Sequence, residues 1–215
     1  MTIRTVMVYK RFERIWHWCQ VALIVTLLFS GFAVRGLHHL IDFHKAVNVH
    51  TIAALCLMVL WLFATFWLFT TGDWRHYLPK REGLVQVARY YAWGIFRGEE
   101  HPYRKLFWRK HNPLQALAYM LLKVVLFPAI WISGIPYLLY GVWKDQAGAW
   151  LEPVVWVHVG AAYAILAFVI THVYLLTTGH SFVGHVKPMV TGYDEVDLTP
   201  AEEAYLQESR IVPLK

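Results

Sequence analysis

The stretch VVWVHVGAAYAILAFVITHVYLL, residues 154–176, decides the reading of this 215-residue chain. It holds no charged residue but two imidazoles, His158 and His172, spaced 14 residues apart. At about 100° per residue, those steps end about 40° short of four full turns, so both rings lie on one face of one helix, roughly 21 Å apart along its axis. The stretch is long enough to span a bilayer. An ionisable side chain inside such a helix is costly, and marks a functional position by default.

Composition extends this reading to the whole chain. Hydrophobic residues make up 58% and charged residues 16%, well below the quarter or so usual in soluble domains. Four windows are apolar over a span's length, at about residues 15–34, 50–69, 114–138 and 154–176. Trp16, Trp18, Trp67, Trp74, Tyr137, Tyr140, Trp150 and Trp156 cluster near their ends, as interfacial aromatic belts do. The expectation is an all-α integral membrane protein, a four-helix bundle forming a single domain over 1–215. The basic start and first apolar run could also mark a signal peptide, but the run exceeds the usual h-region and no Ala-x-Ala-like site follows, so it is read as a retained span.

The formal net charge of +6 does not point to nucleic acid, because its placement is that of a topology signal. Arg4, Lys10, Arg11 and Arg14 precede the first span, and nine basic residues from Arg75 to Lys110 lie between spans two and three. The opposite loops hold only Arg35, Lys45 and Lys144. The positive-inside rule then puts both termini and the central loop in the cytoplasm, with lipid phosphates as the partners of these charges. Cys19 and Cys56 fall inside spans, so no disulfide framework is indicated, and no Cys-x-x-Cys-His motif for covalent haem occurs. Within the central loop, Leu84, Val87, Ala88, Tyr91, Ile95 and Phe96 recur at helical spacing. They read as a cytoplasmic amphipathic helix, either on the membrane surface or packed under the bundle. The tail 180–215 turns acidic, with Asp194, Glu195, Asp197, Glu202, Glu203 and Glu208, and fits either a docking strap or disorder.

With this topology, the intramembrane histidines sort by depth. His17 and His172 stand at the cytoplasmic side, His50 and His158 at the outer side. Two depth-matched pairs supply the axial imidazoles of two b-type haems, His17 with His172 and His50 with His158. His44 competes with His50 from six residues earlier. His38, His39, Asp42 and His44 could bind zinc, though surface solvation is the simpler account of them. His76, His101, His111, His180 and His185 lie in loops.

These residues resemble a known family. Arg14-Ile15-Trp16-His17-Trp18, Phe29-Ser30-Gly31, His50, Lys110-His111-Asn112-Pro113-Leu114-Gln115 and the His158–His172 spacing are similar to the cytochrome b subunits of respiratory formate dehydrogenases, nickel–iron hydrogenases and thiosulfate reductases. The likeness runs to about Pro188. It implies haem ligation by the four histidines and a pocket for quinone (menaquinone or ubiquinone) at Asn112 and Gln115, beside the cytoplasmic-side haem. Pro113-Leu114 stands where the formate dehydrogenase branch often carries a Gly-containing pair. Asn112 also suits the N-cap of the third span.

The function expected is an electron-transfer subunit in the bacterial inner membrane, between an outer-face partner of iron–sulfur or multihaem type and quinone. The rivals are a stand-alone redox enzyme akin to bacterial cytochrome b561, oxidising a small reductant at the outer haem, and a haem-free transporter using histidines as proton relays.

Overall fold

The computed structural model describes residues 2–103, 110–143, 150–177 and 182–209. Three of the nine basic residues of the central loop (Arg104, Lys105 and Arg109), with Lys144 and His180, lie outside them.

Four helical segments are long and apolar enough to cross a membrane: Arg11–Val34, Phe43–Thr71, Pro113–Leu138 and Leu151–Thr177. At 24 to 29 residues they exceed the roughly 20 that the hydrocarbon core requires. Each takes in its expected window and most extend past it, because hydropathy reads only the apolar part while capping residues set the ends. Helix α1 is Arg11–Val34, and the Glu13 carboxylate accepts back from Lys10 N–H at 2.8 Å at its start. Helix α2, Phe43–Thr71, is capped by Asp42, which accepts from Lys45 N–H at 3.0 Å, and it ends at Gly72 in the left-handed region. His50 therefore sits about two turns inside α2 rather than at its opening.

The third span is not uniform. Helix α4, Pro113–Leu121, passes through a π-helical turn, Leu122–Leu126, into α5, Phe127–Leu138. Phe127 N–H reaches back five residues to Leu122 O. Pro128 accounts for the wide turn, since it has no N–H to donate and its ring crowds the carbonyl four residues earlier. A single turn α6, Tyr140–Trp143, follows, and α7, Leu151–Thr177, is the fourth span.

The residues form two compact units. Unit one comprises Met1–His17, Asp73–Tyr119 and Val173–Lys215. Strand β1, Thr2–Met7, pairs antiparallel with β2, Tyr193–Leu198, from Thr2 opposite Leu198 to Met7 opposite Tyr193. Helix α8, Phe182–Thr191, leads into β2, and α9, Pro200–Ser209, follows it. Val6, Val196, Leu198 and Leu206 form a buried cluster. This corrects two expectations. The fold is mostly helical rather than all-α, and the described tail residues 182–209 are folded against the chain's own β1 rather than disordered. Its acidic residues alternate with Val196 and Leu198, which bury against Val6, while Glu203 pairs with Arg4 at 2.6 Å. Gly192, at φ +91°, makes the turn into β2, and its carbonyl accepts from Val8 and Tyr9 N–H.

The central-loop helix exists as α3, Leu84–Ala92, with Val87 buried. It is shorter than expected, because Trp93 and Gly94 break it and Ile95 and Phe96 lie on a 3-10 turn, Gly94–Arg97. Trp16 is buried within the protein.

Unit two comprises Trp18–Gly72 and Met120–His172. Its helices keep small residues inward, among them Ser30, Ala53, Ala64, Ser133 and Ala161, as membrane helices do when they pack closely. Large apolar side chains such as Val25, Phe63, Phe66, Ile132 and Ile170 face outward. Leu122, Phe127 and Ile165 form its buried cluster, flanked by an edge-to-face pair, Trp61 and Trp131.

Candidate functional site

His50 on α2 and His158 on α7 face each other with ring centres 6.3 Å apart and planes inclined by 65°. Metal–imidazole nitrogen bonds run about 2.0–2.1 Å. Adding about 1.1 Å from nitrogen to ring centre, two axial rings on one metal stand about 6 Å apart, centre to centre. The spacing thus fits one iron between two imidazoles.

The protonation of both rings is fixed from outside the pair. His158 Nδ1 lies 3.0 Å from Ile130 O, and a carbonyl can only accept, so Nδ1 carries the proton. Ser133 Oγ is 3.2 Å from the same nitrogen and spends its own proton on Ala129 O at 2.6 Å. At His50, Ser30 Oγ donates to Thr26 O at 2.7 Å and stands 3.1 Å from Nδ1, so it accepts there. In both rings Nε2 keeps its lone pair, the form a metal requires. Glycines admit the rings. A Cβ at Gly31 would come within 3.3 Å of His50 Cε1, and one at Gly134 within 3.1 Å of His158 Cε1.

His172 is half-buried on α7, stacked on Phe168 with centres 5.9 Å apart, and belongs to unit two. His17, also half-buried, belongs to unit one. His44 is exposed in the first turn of α2, edge-on to Phe43. His38 donates through Nε2 to Phe29 O at 2.8 Å, and Asp42 caps α2. Among the described residues no three of His, Cys, Asp and Glu gather as a metal site of their own.

Asn112 and Gln115 form a reciprocal capping box on α4. Asn112 Oδ1 accepts from Gln115 N–H at 2.9 Å, and Gln115 Oε1 accepts from Asn112 N–H at 3.1 Å. Asn112 is buried, and its Nδ2 donates to Tyr91 OH at 3.3 Å. Tyr91 OH is also 3.2 Å from His101 Nε2. Burial holds the Tyr91 phenol above its usual range, opposed by the Asn112 hydrogen bond, and burial pulls His101 below the usual imidazole range. Close by in sequence, His111 packs against Tyr77 and Tyr119.

Two features escaped the sequence reading. Ser133-Gly134 repeats the Ser30-Gly31 pair in another span, and the recurrence of Ser-Gly inside apolar segments was the available signal. The second is a buried ionic cluster at the start of α1. Lys110 Nζ pairs with Glu13 at 2.6 Å and Asp73 at 3.6 Å, and Lys10 reaches Asp73 at 3.1 Å. Nothing in the separate sequence positions of these four residues predicts that they meet.

Comparison with known proteins identifies the family. The chain is 32% identical over 193 residues to the "Putative cytochrome YdhU" of Escherichia coli (strain K12), covering 86% of this chain and 73% of the relative. No solved structure matches it. The family model described as prokaryotic cytochrome b561 matches residues 8–192. With all four candidate spans and His17, His50, His158 and His172 inside that match, the chain belongs to the prokaryotic cytochrome b561 family, membrane electron-transfer proteins that bind b-type haem.

Proposed function

We propose that this chain is a di-haem b membrane subunit of a quinone-linked respiratory oxidoreductase, carrying electrons between an outer-face partner and the quinone pool. The observation that carries the reading is the His50–His158 pair, whose ring centres stand at a spacing that suits one iron while hydrogen bonds engage both Nδ1 atoms. Haem, when bound, supplies one-electron exchange at iron. His50 and His158 would hold the outer group. His17 and His172 would hold the cytoplasmic-side group, on the support of their matching depth and of the His158–His172 spacing along one helix face. Quinone is assigned to the neighbourhood of Asn112 and Gln115. The cap uses Asn112 Oδ1, while Nδ2 and the Tyr91 hydroxyl offer neutral polar hydrogens suited to a quinone oxygen. Exposed Val85, Trp93 and Phe96 around α3 support a membrane-surface role for that segment on the cytoplasmic side. The partner assigned in this reading is a catalytic or electron-transfer subunit of iron–sulfur or multihaem type; nothing in the sequence resembles a substrate site for formate, hydrogen or thiosulfate.

The test is haem counting on folded, detergent-solubilised protein. His50→Ala and His158→Ala should each lose the same one of two haems, and His17→Ala and His172→Ala the other. Two bis-histidine haems surviving in His158→Ala would overturn the pairing and bring His44 forward. The family's name favours a second reading, a stand-alone enzyme oxidising a small reductant such as superoxide at the outer haem. Full-rate reduction by that reductant in the isolated chain, with no co-purifying partner, would select it.

A further inference from the structure

We propose that two Ser–Gly pairs, Ser30–Gly31 on α1 and Ser133–Gly134 on α5, are positioning residues that hold the ring planes of His50 and His158 as iron ligands, Ser30 also setting the tautomer of His50 while Ser133 supports the one that Ile130 O sets at His158. The inference rests on the haem reading above. A serine in a membrane helix often bonds the carbonyl four residues back and does nothing more. Here each serine does that and also meets an imidazole on a neighbouring helix.

The two clasps are geometrically alike. Ser30 Oγ lies 2.7 Å from Thr26 O and 3.3 Å from Leu27 O, and Ser133 Oγ lies 2.6 Å from Ala129 O and 3.2 Å from Ile130 O. Their distances to the histidine Nδ1 atoms are 3.1 and 3.2 Å. Each following glycine leaves the space that its ring edge occupies, with a virtual Cβ at 3.3 or 3.1 Å. Both serines are buried, Ser30 completely. One device, built twice on segments about 100 residues apart in the chain, is therefore applied to the two ligands of one site.

Two consequences follow from the chemistry. An acceptor on Nδ1–H raises the electron donation of Nε2 and favours the ferric state, so removing it raises the midpoint potential. The glycines allow the 65° inclination of the rings. The angle between axial imidazole planes sets the splitting of the ferric iron's d orbitals, and with it the anisotropy of the low-spin electron paramagnetic resonance (EPR) signal.

The experiment uses the purified full-length holoprotein. Ser30→Ala and Ser133→Ala should keep two haems, raise the potential of one of them only, and speed its dissociation by about 10- to 100-fold. Ser133→Thr, which restores a hydroxyl, should return both quantities toward wild type. Gly31→Ala and Gly134→Ala should shift the EPR signal of that same haem, Gly134→Ala the more strongly because its contact is the tighter. Selective loss of that haem alone in any of these variants supports the inference too. Unchanged potentials, dissociation and EPR signals in both alanine-for-serine variants would overturn it and leave the haem reading intact. That reading fails separately if His50→Ala and His158→Ala keep both haems.

Discussion

At the scale of the residue, Asn112 best separates packing from function. It caps α4 through Oδ1 and contacts Tyr91 through Nδ2, so two substitutions divide the roles. Asn112→Asp keeps the acceptor for Gln115 N–H and loses the amide donor, because aspartate caps a helix about as well as asparagine. Thermal stability should hold while electron exchange with a quinone analogue slows. Asn112→Leu loses both, costing about 1 kcal/mol from the cap, and should slow quinone exchange with both haem spectra intact. Stopped-flow oxidation of the reduced protein by the analogue reads the difference. Wild-type quinone rates in both variants would leave Asn112 as a cap only.

At the scale of the element, the start of α1 is held by charge. Lys110 and Glu13 are nearly buried, with side chains 9% and 7% exposed, and Asp73 completes the cluster. Removing one partner of a buried pair strands the other, at a cost of about 3–5 kcal/mol. Lys110→Met should therefore lower the unfolding temperature sharply, and Glu13→Gln added to it should recover part of the loss, as a double-mutant cycle would show. The same region predicts alkaline lability. Burial pushes the Tyr9 and Tyr77 phenols up, with the Glu13 carboxylate adding to both. A phenol whose folded pKa is raised binds its proton more tightly in the folded state. Its contribution is complete below the unfolded value of about 10 and is lost as pH rises above it, by about 1.4 kcal/mol per pH unit for each group. Thermal melts should be flat up to that pH and then fall, and Tyr9→Phe with Tyr77→Phe should flatten the fall.

At the scale of the whole molecule, unit one gathers the N-terminus, the connection between the second and third spans, and the C-terminal segment. The β1–β2 pairing and the Lys110–Glu13 and Lys10–Asp73 contacts tie these three segments together. Four candidate spans would return both termini to one side, and the basic residues concentrated there lead us to propose, by the positive-inside rule, that this side is cytoplasmic. A cysteine introduced between Gly36 and Asp42 should be labelled from outside intact cells by an impermeant reagent. Cysteines at Arg81 or Glu202 should be protected. Labelling at Arg81 from outside would exchange the inner and outer haem assignments.

The amino-acid sequence by itself determined the four spans and the stripe of His158 and His172. Both are local properties: bilayer thickness demands an apolar run of given length, and helical pitch converts residue spacing into a face. The histidine sorting by depth followed from charge placement, which is also read along the chain. Tertiary structure decided what depends on partners far apart. Strand β1 meets β2 across nearly the whole chain, so the alternation in Thr2–Met7 gave no sign of its partner. Ser30 stood in the sequence only as part of a family motif and Ser133 drew no reading, and the fold alone places them against His50 and His158. The same holds for Lys110, a topology charge in the sequence and a buried counter-ion in the fold. Periodicity and hydropathy act within one helix, whereas a hydrogen bond or ion pair between segments exists only once the chain between them has closed.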